Sequence, residues 1–385
     1  MKNSKKLGIN TTCVHVGEVI DEQFKGAVSP IYMATSYAFD NVDVKRYPRY
    51  YNTPNQEMLC KKIAALENTE DALIFSSGMA AISSAMLAFL KRGDHVVIQQ
   101  VIYGGTYNFI VSEFDKYGIE YSFTESDKVE DFITLVKENT KILYIETPSN
   151  PLLGITDMQA IADVAKEHNI LTMIDNTFAS PINQNPFNFG IDIIIHSATK
   201  YMGGHSDISA GAIAASKKHI EQIWKTAINL GGNLSEQTVW LLERSLKTLN
   251  LRVKAQTENA KIMADYLEAN SNIDAVYYPG LKSNPGFEIA AKQMKGFGAM
   301  LSFELSANID PMEFQRNLQL IKSSMSLAGL ESTTVSPAQT THALLTEEQR
   351  LERGIKDGLI RFSVGIEETE DLIADIEQAI KKAKI

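Results

Sequence analysis

The stretch IDIIIHSATK, residues 191–200, is the most informative part of this 385-residue chain for the fold. Its first part is a short run rich in isoleucine, which is typical of a strand buried on both faces of a parallel sheet. The run breaks off into Ser197, Ala198, Thr199 and Lys200. Because open α/β sheets place their ligands at the carboxyl ends of strands, we expect these polar residues to lie in a ligand site.

Lys200 is the first candidate catalytic residue. A lysine at a strand end can form a Schiff base, and the hydroxyls of Ser197 and Thr199 just before it could hold a phosphate. Lysine together with phosphate-binding hydroxyls suggests the cofactor pyridoxal 5'-phosphate (PLP). Taken alone, Lys200 could equally be an exposed lysine that follows a strand, because lysine side chains are usually exposed.

Asp175 provides a second signal. It follows the apolar part of LTMIDNTF, residues 171–178, and so ends another predicted strand. PLP is a better electron sink when its pyridine nitrogen is protonated and faces an anion, and a carboxylate on a neighbouring strand could be that anion. The alternative for Asp175 is a turn or a helix cap. That alternative does not explain why Asp175 and Lys200 both end apolar strands.

Two more strand ends could contribute to the same site. Ser76-Ser77-Gly78-Met79 separates a short strand from a helix of small residues, and amides at a helix start bind anions. Tyr103, in Tyr103-Gly104-Gly105, follows the predicted strand 95–99 and could stack on a pyridine ring. Each has a plainer alternative, which is ordinary turn chemistry for the first motif and a partly buried surface residue for the tyrosine.

The order of apolar patterns indicates an α/β fold. From about residue 55 to 240, strand-like and helix-like segments alternate, which predicts a mainly parallel sheet with right-handed crossovers. Strands are expected near Leu73 and at 96–99, 141–146, 171–175, 191–195 and 209–214, and helices at 56–66, 78–90, 106–117, 129–139 and 158–168.

The two ends of the chain have other sequence patterns than its middle. Residues 1 to about 50 lack clear periodicity and suit an extended arm that wraps on a partner. One long helix is predicted from after Ser235 to about Ala269, followed by a smaller α+β region with strands at 274–278, 300–304 and 359–364. We therefore predict an arm (1–54), a PLP-binding large domain (55–240) and a C-terminal small domain (241–385).

Composition narrows the class of protein. A net charge of −10 argues against nucleic acid and anionic membranes as partners. Cys13 and Cys60 are the only cysteines, too few for a disulfide framework and without metal-ligand spacing. The seven histidines are scattered, so no metal site is expected, and His196 and His205 are predicted to pack or hydrogen-bond. Without a secretory or membrane-spanning apolar segment, a cytoplasmic location is expected.

Short motifs occur in order along nearly the whole chain: Gly26-Ala27-Val28 with Pro30-Ile31, Tyr47-Pro48-Arg49, Asn52-Thr53-Pro54-Asn55, Ser77-Gly78-Met79, Tyr103-Gly104-Gly105-Thr106, Glu146-Thr147-Pro148-Ser149-Asn150-Pro151, Asp175-Asn176-Thr177, Ser197-Ala198-Thr199-Lys200-Tyr201, Lys247-Thr248-Leu249, Ser326-Leu327 and Arg361-Phe362-Ser363-Val364-Gly365. In this order they resemble the Cys/Met-metabolism PLP enzymes of the transsulfuration group. That group includes cystathionine γ-synthase, cystathionine lyases, methionine γ-lyase and O-acylhomoserine sulfhydrylases. The resemblance implies the aspartate aminotransferase-like fold, called fold type I.

The resemblance also implies roles for the cofactor site. Lys200 would form the Schiff base and shuttle protons, Asp175 would pair with the pyridinium nitrogen, and Tyr103 would stack on the ring and act as an acid or base. The phosphate would be held by Gly78, Met79, Ser197 and Thr199.

Further implied roles concern the substrate and a second subunit. In this family Tyr47 and Arg49 reach the phosphate from the neighbouring subunit, so a homo-oligomer is expected, most simply a dimer of dimers. Arg361 would clamp the α-carboxylate of an amino-acid substrate through its guanidinium fork, with Asn150 and Ser326 nearby.

Departures from the family patterns bear on the reaction. Gly105 stands where methionine γ-lyases typically carry cysteine, and Leu327 where bacterial β-lyases tend to have tryptophan. Met325 stands where cystathionine γ-lyases and γ-synthases usually carry a glutamate that contacts the distal amino group. An apolar Met325 suits an apolar or small γ-substituent. The blocks 279–304 and 358–380 are most similar to methionine γ-lyase.

These departures favour γ-elimination from methionine- or homocysteine-like substrates, as in a methionine γ-lyase. Three alternatives stay open. They are γ-replacement on an O-acylhomoserine, cystathionine γ- or β-lyase activity, and a PLP-binding paralogue without catalysis. Every residue that the chemistry requires is present, which argues against the last one.

Overall fold

Most of the predicted ligand-site residues lie at the ends of strands of one seven-stranded sheet or in the segments that follow them. In this computed structural model the described residues are 7–340, 346–352 and 354–385. The strands of the large sheet, in chain order, are β1 (Asp71–Phe75), β2 (His95–Ile98), β3 (Glu120–Phe123), β4 (Thr140–Glu146), β5 (Leu171–Asp175), β6 (Ile193–His196) and β7 (Gly211–Ala215). Their order across the sheet is β1-β7-β6-β5-β4-β2-β3. Neighbours are parallel except that β7 runs antiparallel to both β1 and β6.

The helices, in chain order, are α1 (Ile9–His15), α2 (Pro54–Glu67), α3 (Gly78–Phe89), α4 (Gly104–Tyr117), α5 (Val129–Leu135), α6 (Met158–His168), α7 (Ser180–Asn183), α8 (Lys217–Leu230), α9 (Glu236–Leu246), α10 (Leu249–Ala269), α11 (Phe287–Gln293), α12 (Pro311–Asn317), α13 (Glu347–Glu352) and α14 (Thr369–Lys382). None of these described helices is long and apolar enough to cross a bilayer.

The large sheet is covered by helices on both faces. Successive residues of a strand point to opposite faces, so Ile194 packs into one hydrophobic cluster while Ile193 and Ile195 pack into another. The first cluster includes side chains from α2 and α6, and the second includes side chains from α3, α4 and α8. Burial on both faces explains why the central strands are continuous apolar runs, as the sequence predicted.

A second, five-stranded sheet follows α10. Its strands are β8 (Ile273–Tyr277), β9 (Met300–Leu305), β10 (Lys322–Ser323), β11 (Thr333–Val335) and β12 (Leu359–Ser363), in the order β10-β11-β12-β9-β8. Phe303 and Phe362 of this sheet belong to the same hydrophobic cluster as α10 and one face of the large sheet. The α/β fold class is therefore confirmed, whereas the domain limits at residues 54 and 240 stay a prediction.

The predicted long helix from Ser235 to Ala269 is wrong in one respect, because the structure has two helices. The first, α9, ends at Leu246, and α10 begins at Leu249. At the break, the Arg252 guanidinium donates to the carbonyl of Ser245 at 3.0 Å, and Arg252 Nε donates to Thr248 Oγ1 at 3.2 Å. The arginine side chain thus adds a hydrogen bond to a helix-end carbonyl that also accepts the Thr248 N–H at 3.2 Å.

Some short elements were not predicted. Helix α1 lies within the arm, which otherwise has no helix or strand before Pro48 among the described residues. It has no side-chain cap, but the buried Lys62 of α2 donates to the carbonyl of Cys13 at 2.8 Å. Strands β3, β10 and β11 have two to four residues each and lack a strand pattern in the sequence.

Candidate active site

A cavity of about 320 Å³ opens at the carboxyl ends of β4, β5 and β6. All of the site residues predicted from the sequence line it, except Tyr47 and Arg49. Those lining residues are Gly78, Met79, Tyr103, Asn150, Asp175, Ser197, Thr199, Lys200, Met325, Ser326 and Arg361. The cavity is therefore where the strand-end motifs meet, as the fold class requires.

The start of α3 forms one wall of the cavity. Ser77 caps this helix, accepting a hydrogen bond from the Ala80 N–H at 3.1 Å. The first N–H groups of a helix have no partner within it, so the amides that follow Ser77 can bind an anion. A Cβ atom on Gly78 would lie 2.8 Å from Cβ of Ser197, so only glycine lets Ser197 approach this helix end.

Lys200 lines the same cavity. Its Nζ donates a hydrogen bond to Oγ of Ser326 at 2.6 Å. Burial, with a further contribution from the positive charge of Arg361, lowers the pKa of Lys200 to about 8. A lowered pKa was expected from the sequence, and it leaves a larger neutral fraction of this amine near neutral pH than an ordinary lysine has.

The segment that carries Ser326 has an unusual backbone. Ser326 has φ of 78° and Ala328 has φ of 63°, so both adopt the left-handed conformation. Non-glycine residues in this region are uncommon, and strained positions of this kind cluster at functional sites. Ala328 N–H donates to Oγ of Ser363 at 2.7 Å, which ties the segment to β12.

Asp175 is the last residue of β5 and is buried. Its Oδ1 accepts a hydrogen bond from the Thr177 N–H at 3.0 Å. Burial raises the pKa of Asp175, and this effect is opposed by Thr177 and by the nearby His196. A buried carboxylate at a cavity wall is most stable when a cation faces it, so the site suits a positively charged group beside Asp175.

Glu146, the last residue of β4, is a site residue that was not predicted. It also lines the cavity and pairs in register with Asp175 on the neighbouring strand. Its Oε2 accepts the Tyr103 N–H at 2.7 Å and its Oε1 accepts the Asn150 N–H at 3.1 Å. Its place at a strand end, matching that of Asp175, was a usable signal. Thr177 and Ser209 also line the cavity without having been predicted.

Arg361, on β12, brings the second sheet to the cavity. It is buried, donating from Nη1 to Oδ1 of Asn150 at 3.0 Å and from Nη2 to the carbonyl of Ser326 at 3.2 Å. Burial lowers the pKa of Arg361 to about 10, which still leaves it positive at neutral pH. These bonds fix the guanidinium, and an arginine has five N–H donors, so others can bind a carboxylate.

Tyr103 caps the start of α4, and its ring is partly exposed in the cavity. A Cβ on Gly105 would lie only 2.4 Å from Cε1 of this ring. Any larger residue at position 105, cysteine included, would have to displace the ring. The glycine noted in the sequence therefore has a steric role, because it lets Tyr103 fold back over the helix start.

A profile of the family described as Cys/Met metabolism PLP-dependent enzyme matches residues 10–381. The chain belongs to this family. It is 42% identical over 378 residues to the cystathionine beta-lyase of Lactococcus lactis subsp. cremoris, covering 97% of this chain and 99% of the relative. It is 39% identical to the L-methionine gamma-lyase of Fusobacterium nucleatum subsp. nucleatum, with 98% and 99% covered.

A solved structure shows the same fold. It is the cystathionine gamma-lyase of Lactobacillus plantarum complexed with L-serine, which matches with a TM-score of 0.94 and 38% identity, covering 98% of this chain and 99% of that one. The protein is thus a PLP-dependent enzyme of fold type I, as the motifs predicted.

The cavity of this family member fits PLP by its own geometry. The Gly78 amide end of α3 with Ser197 and Thr199 suits a phosphate, and the half-buried Lys200 amine suits the aldehyde. The buried carboxylate of Asp175 is the partner that a protonated pyridine nitrogen requires. Among the described residues, no group of three or more His, Cys, Asp or Glu side chains could hold a metal ion.

Tyr47 and Arg49 lie outside this chain's own cavity. Arg49 Nη1 donates to the carbonyl of Ile228 at 2.5 Å, and its guanidinium lies 5.7 Å from the ring centre of Tyr47 and 5.5 Å from that of Tyr50. The family role of Tyr47 and Arg49, which is to reach the phosphate of another subunit, stays a prediction for this protein.

The two histidines that flank the lysine loop make hydrogen bonds, as predicted. His196 Nε2 lies 2.5 Å from Oε1 of the buried Glu67, and His205 Nδ1 lies 2.7 Å from the carbonyl of Gly203. Neither histidine lines the cavity.

Proposed function

We propose that this protein is a PLP-dependent carbon–sulfur lyase that removes the γ-substituent of a methionine- or homocysteine-like L-amino acid. The proposal rests on one observation, which is the apolar character of the part of the cavity wall that Met325 and Leu327 form. Met325 is 70% exposed there. Among the described lining residues the carboxylates are Glu146 and Asp175, which both end strands at the other wall. An apolar γ-substituent thus meets apolar side chains.

The substrate's α-carboxylate is expected at Arg361. Asn150 and the carbonyl of Ser326 hold the guanidinium in place by hydrogen bonds, so the carboxylate meets a fixed fork of donors. We expect the substrate Cα near Lys200, because Ser326 contacts both groups: its carbonyl accepts from Arg361 and its Oγ accepts from Lys200 Nζ.

Proton transfer is assigned to Lys200 and Tyr103. Lys200 Nζ, with its pKa lowered to about 8, removes the proton from Cα and returns a proton elsewhere on the substrate. Tyr103, which lines the same cavity, would stack on the cofactor ring, and its hydroxyl would donate a proton to the leaving sulfur. When bound, PLP supplies the electron sink for this chemistry.

Cystathionine cleavage is the second candidate, and a separate observation favours it. A cleft of about 260 Å³ adjoins the cavity and shares Met325 and Leu327 with it. Its wall carries Lys322 and Glu331, whose charged groups lie 3.5 Å apart. This pair offers one charge of each sign to the distal ammonium and carboxylate of cystathionine. Two relatives named cystathionine lyases are 42% identical to this chain, compared with 39% for the L-methionine gamma-lyase.

We further propose that the active unit is a homo-oligomer, with Tyr47 and Arg49 of one chain completing the phosphate site of the next. The arm exposes large apolar side chains such as Phe24 and Phe39, each 79% exposed, together with Ile20 and Met33. Such a series of apolar residues is typical of a surface that a second copy covers.

The experiment that tests the proposal is product identification. The purified enzyme is incubated separately with methionine, homocysteine, cystathionine, and O-acetylhomoserine plus cysteine. We expect the highest kcat/KM with methionine or homocysteine, with release of a thiol or hydrogen sulfide, a 2-oxo acid and ammonia. A strong preference for cystathionine would support the second candidate, and cystathionine formed from O-acetylhomoserine would indicate γ-replacement. If none of these substrates is turned over, the proposal is wrong and a PLP-binding paralogue without catalysis is favoured.

A further inference from the structure

Glu146 lines the active-site cavity but has no role in the proposed reaction. It is 4% exposed, and its two oxygens bond to two different segments that both form the site. One oxygen holds the start of α4 through the Tyr103 N–H, and the other holds the loop after β4 through the Asn150 N–H. Glu146 thus fixes both the stacking residue and the partner of the carboxylate clamp.

The hydrogen bonds continue from Asn150 to the lysine. Asn150 Oδ1 accepts from Arg361, Arg361 donates to the carbonyl of Ser326, and Ser326 Oγ accepts from Lys200. One unbroken series of side chains and backbone groups therefore connects Tyr103 to Lys200, and Glu146 and Arg361 are the titratable side chains between its two ends.

Several groups, with Arg361 among them, influence the pKa of Glu146. Burial, and then the negative charge of Asp175 beside it, raise the pKa of Glu146, while the amides of Tyr103 and Asn150 and the charge of Arg361 oppose the rise. The titratable and charged groups that face it come from every surrounding element: Tyr144 on its own strand, Asp175 on β5, Tyr103 at α4, Lys200 after β6 and Arg361 on β12.

A bound carboxylate changes this balance. At Arg361 it adds a negative charge and takes part of the arginine's positive field away from Glu146. The ionised form of Glu146 is then less stable than before, next to Asp175 and away from water.

We propose that Glu146 takes up a proton when an amino-acid carboxylate binds at Arg361, so that substrate capture is linked to protonation of a residue that positions Tyr103 and Asn150. The inference rests on the proposed binding of the substrate carboxylate at Arg361. It makes Glu146 a positioning residue, because it acts through Tyr103 and Asn150 and through its charge.

The direction of the pH dependence follows from linkage. If binding takes up protons, affinity falls as pH rises, by up to about tenfold per pH unit where one full proton is taken up. At pH values where Glu146 is already protonated before binding, the affinity becomes independent of this group. Glu146→Gln cannot ionise, so its affinity is flat over the same range and exceeds that of the wild type at the alkaline end.

The test uses the holoenzyme and 4-(methylthio)butanoate, which is methionine without its amino group. This probe has a carboxylate but no amine, so it neither reacts with the cofactor nor supplies an ammonium proton. Isothermal titration calorimetry in buffers of different ionisation enthalpy gives the number of protons taken up per bound probe. The proton on the Lys200–cofactor linkage is followed separately by its visible absorption and subtracted.

Asp127→Asn is the matched control. Asp127 is a carboxylate whose pKa is raised by burial and which contacts the same neighbourhood, since Gln99 bonds both to its Oδ1 and to the Glu146 N–H. It does not line the cavity. We expect wild type and Asp127→Asn to take up the same fraction of a proton, and Glu146→Gln to take up none.

Two further measurements do not use Glu146→Gln, so they stay informative if that variant folds poorly. Infrared difference spectra of the wild type should gain a protonated-carboxyl band when the probe binds. Glu146→Asp keeps an acid and should keep part of the proton uptake, while its shorter side chain releases Tyr103 and weakens binding. If the probe binds without proton uptake and without a new infrared band, the inference is wrong, while carboxylate binding at Arg361 still stands. If the probe does not bind to the wild type, the proposed carboxylate site at Arg361 is wrong, and the inference that rests on it is wrong too.

Discussion

The two sides of the cavity are made in different ways. On the side of the large sheet, Asp175 and Glu146 are buried and accept backbone N–H groups, and Ser77 caps the start of α3, where Gly78 is buried. On the opposite side, Met325 is exposed, and the neighbouring cleft has a loosely paired Lys322 and Glu331. We expect the first side to bind PLP, the cofactor of this enzyme family. The second side can vary from one substrate to another, because few of its side chains are fixed by neighbours.

The largest effect on turnover should follow from replacing Lys200. Lys200→Ala removes both the Schiff base and the proton shuttle, and turnover should fall by more than about a thousandfold. Steady-state kinetics measure the loss, and borohydride reduction with peptide mapping of the wild type should label Lys200. Lys322→Ala, a lysine at the variable side, serves as the control and should keep a labelled Lys200. A label on another lysine would contradict the assignment.

The same lysine allows a sharper test through pH. The amine must be neutral to capture the cofactor aldehyde, and its pKa is lowered to about 8. The rate at which apoenzyme captures PLP should therefore rise with pH and level off above about pH 8, changing by roughly fiftyfold between pH 6 and 8. Stopped-flow absorbance follows the capture. A rate that continues to rise toward pH 10 would indicate an ordinary lysine.

On the variable side, Met325→Glu should move substrate preference. A carboxylate at this position offers a partner to a distal ammonium, and a charge-assisted contact contributes roughly 1.5–3 kcal/mol. The ratio of kcat/KM for cystathionine to that for methionine should rise by about ten- to a hundredfold. Met325→Gln, of similar size without charge, is the control. If the wild type already prefers cystathionine and the glutamate adds nothing, the distal group is recognised elsewhere, with Glu331→Gln as the next variant to measure.

A smaller change is expected from mixing subunits. Arg49→Ala and Lys200→Ala chains are each impaired, but a hybrid dimer has one site with both native residues. Random exchange of equal amounts should restore about a quarter of the wild-type sites. Activity after mixing, with exchange verified by mass spectrometry of labelled chains, measures this recovery. Chains that exchange without any recovery would exclude a shared phosphate site.

The sequence predicted the parts of the site that follow from local pattern. Lys200 and Asp175 each end an isoleucine- or methionine-containing apolar run, so their location at strand ends could be read directly. Glu146 also ends a strand, yet its importance depends on accepting the amide of Tyr103, which lies 43 residues away in the chain. Such a contact exists only once β2 and β4 are neighbours.

The sheet direction shows a similar limit. Strand β7 was predicted as one more strand of a parallel sheet, but it runs antiparallel to β6. The segment between them holds Lys200 and contains no described helix, whereas a parallel crossover normally needs one. The same residues that indicated the chemistry therefore also contained the signal for the reversed strand.

The left-handed backbone at Ser326 and Ala328 separates positions that can change from positions that cannot. A β-branched or bulky side chain is strongly disfavoured at such φ values, so residues 326 and 328 are conformationally restricted. Met325 and Leu327 alternate with them on the same turn and are not in that conformation. Substrate preference can therefore drift during evolution through single replacements at 325 and 327, while the turn that presents Ser326 to the lysine keeps its shape.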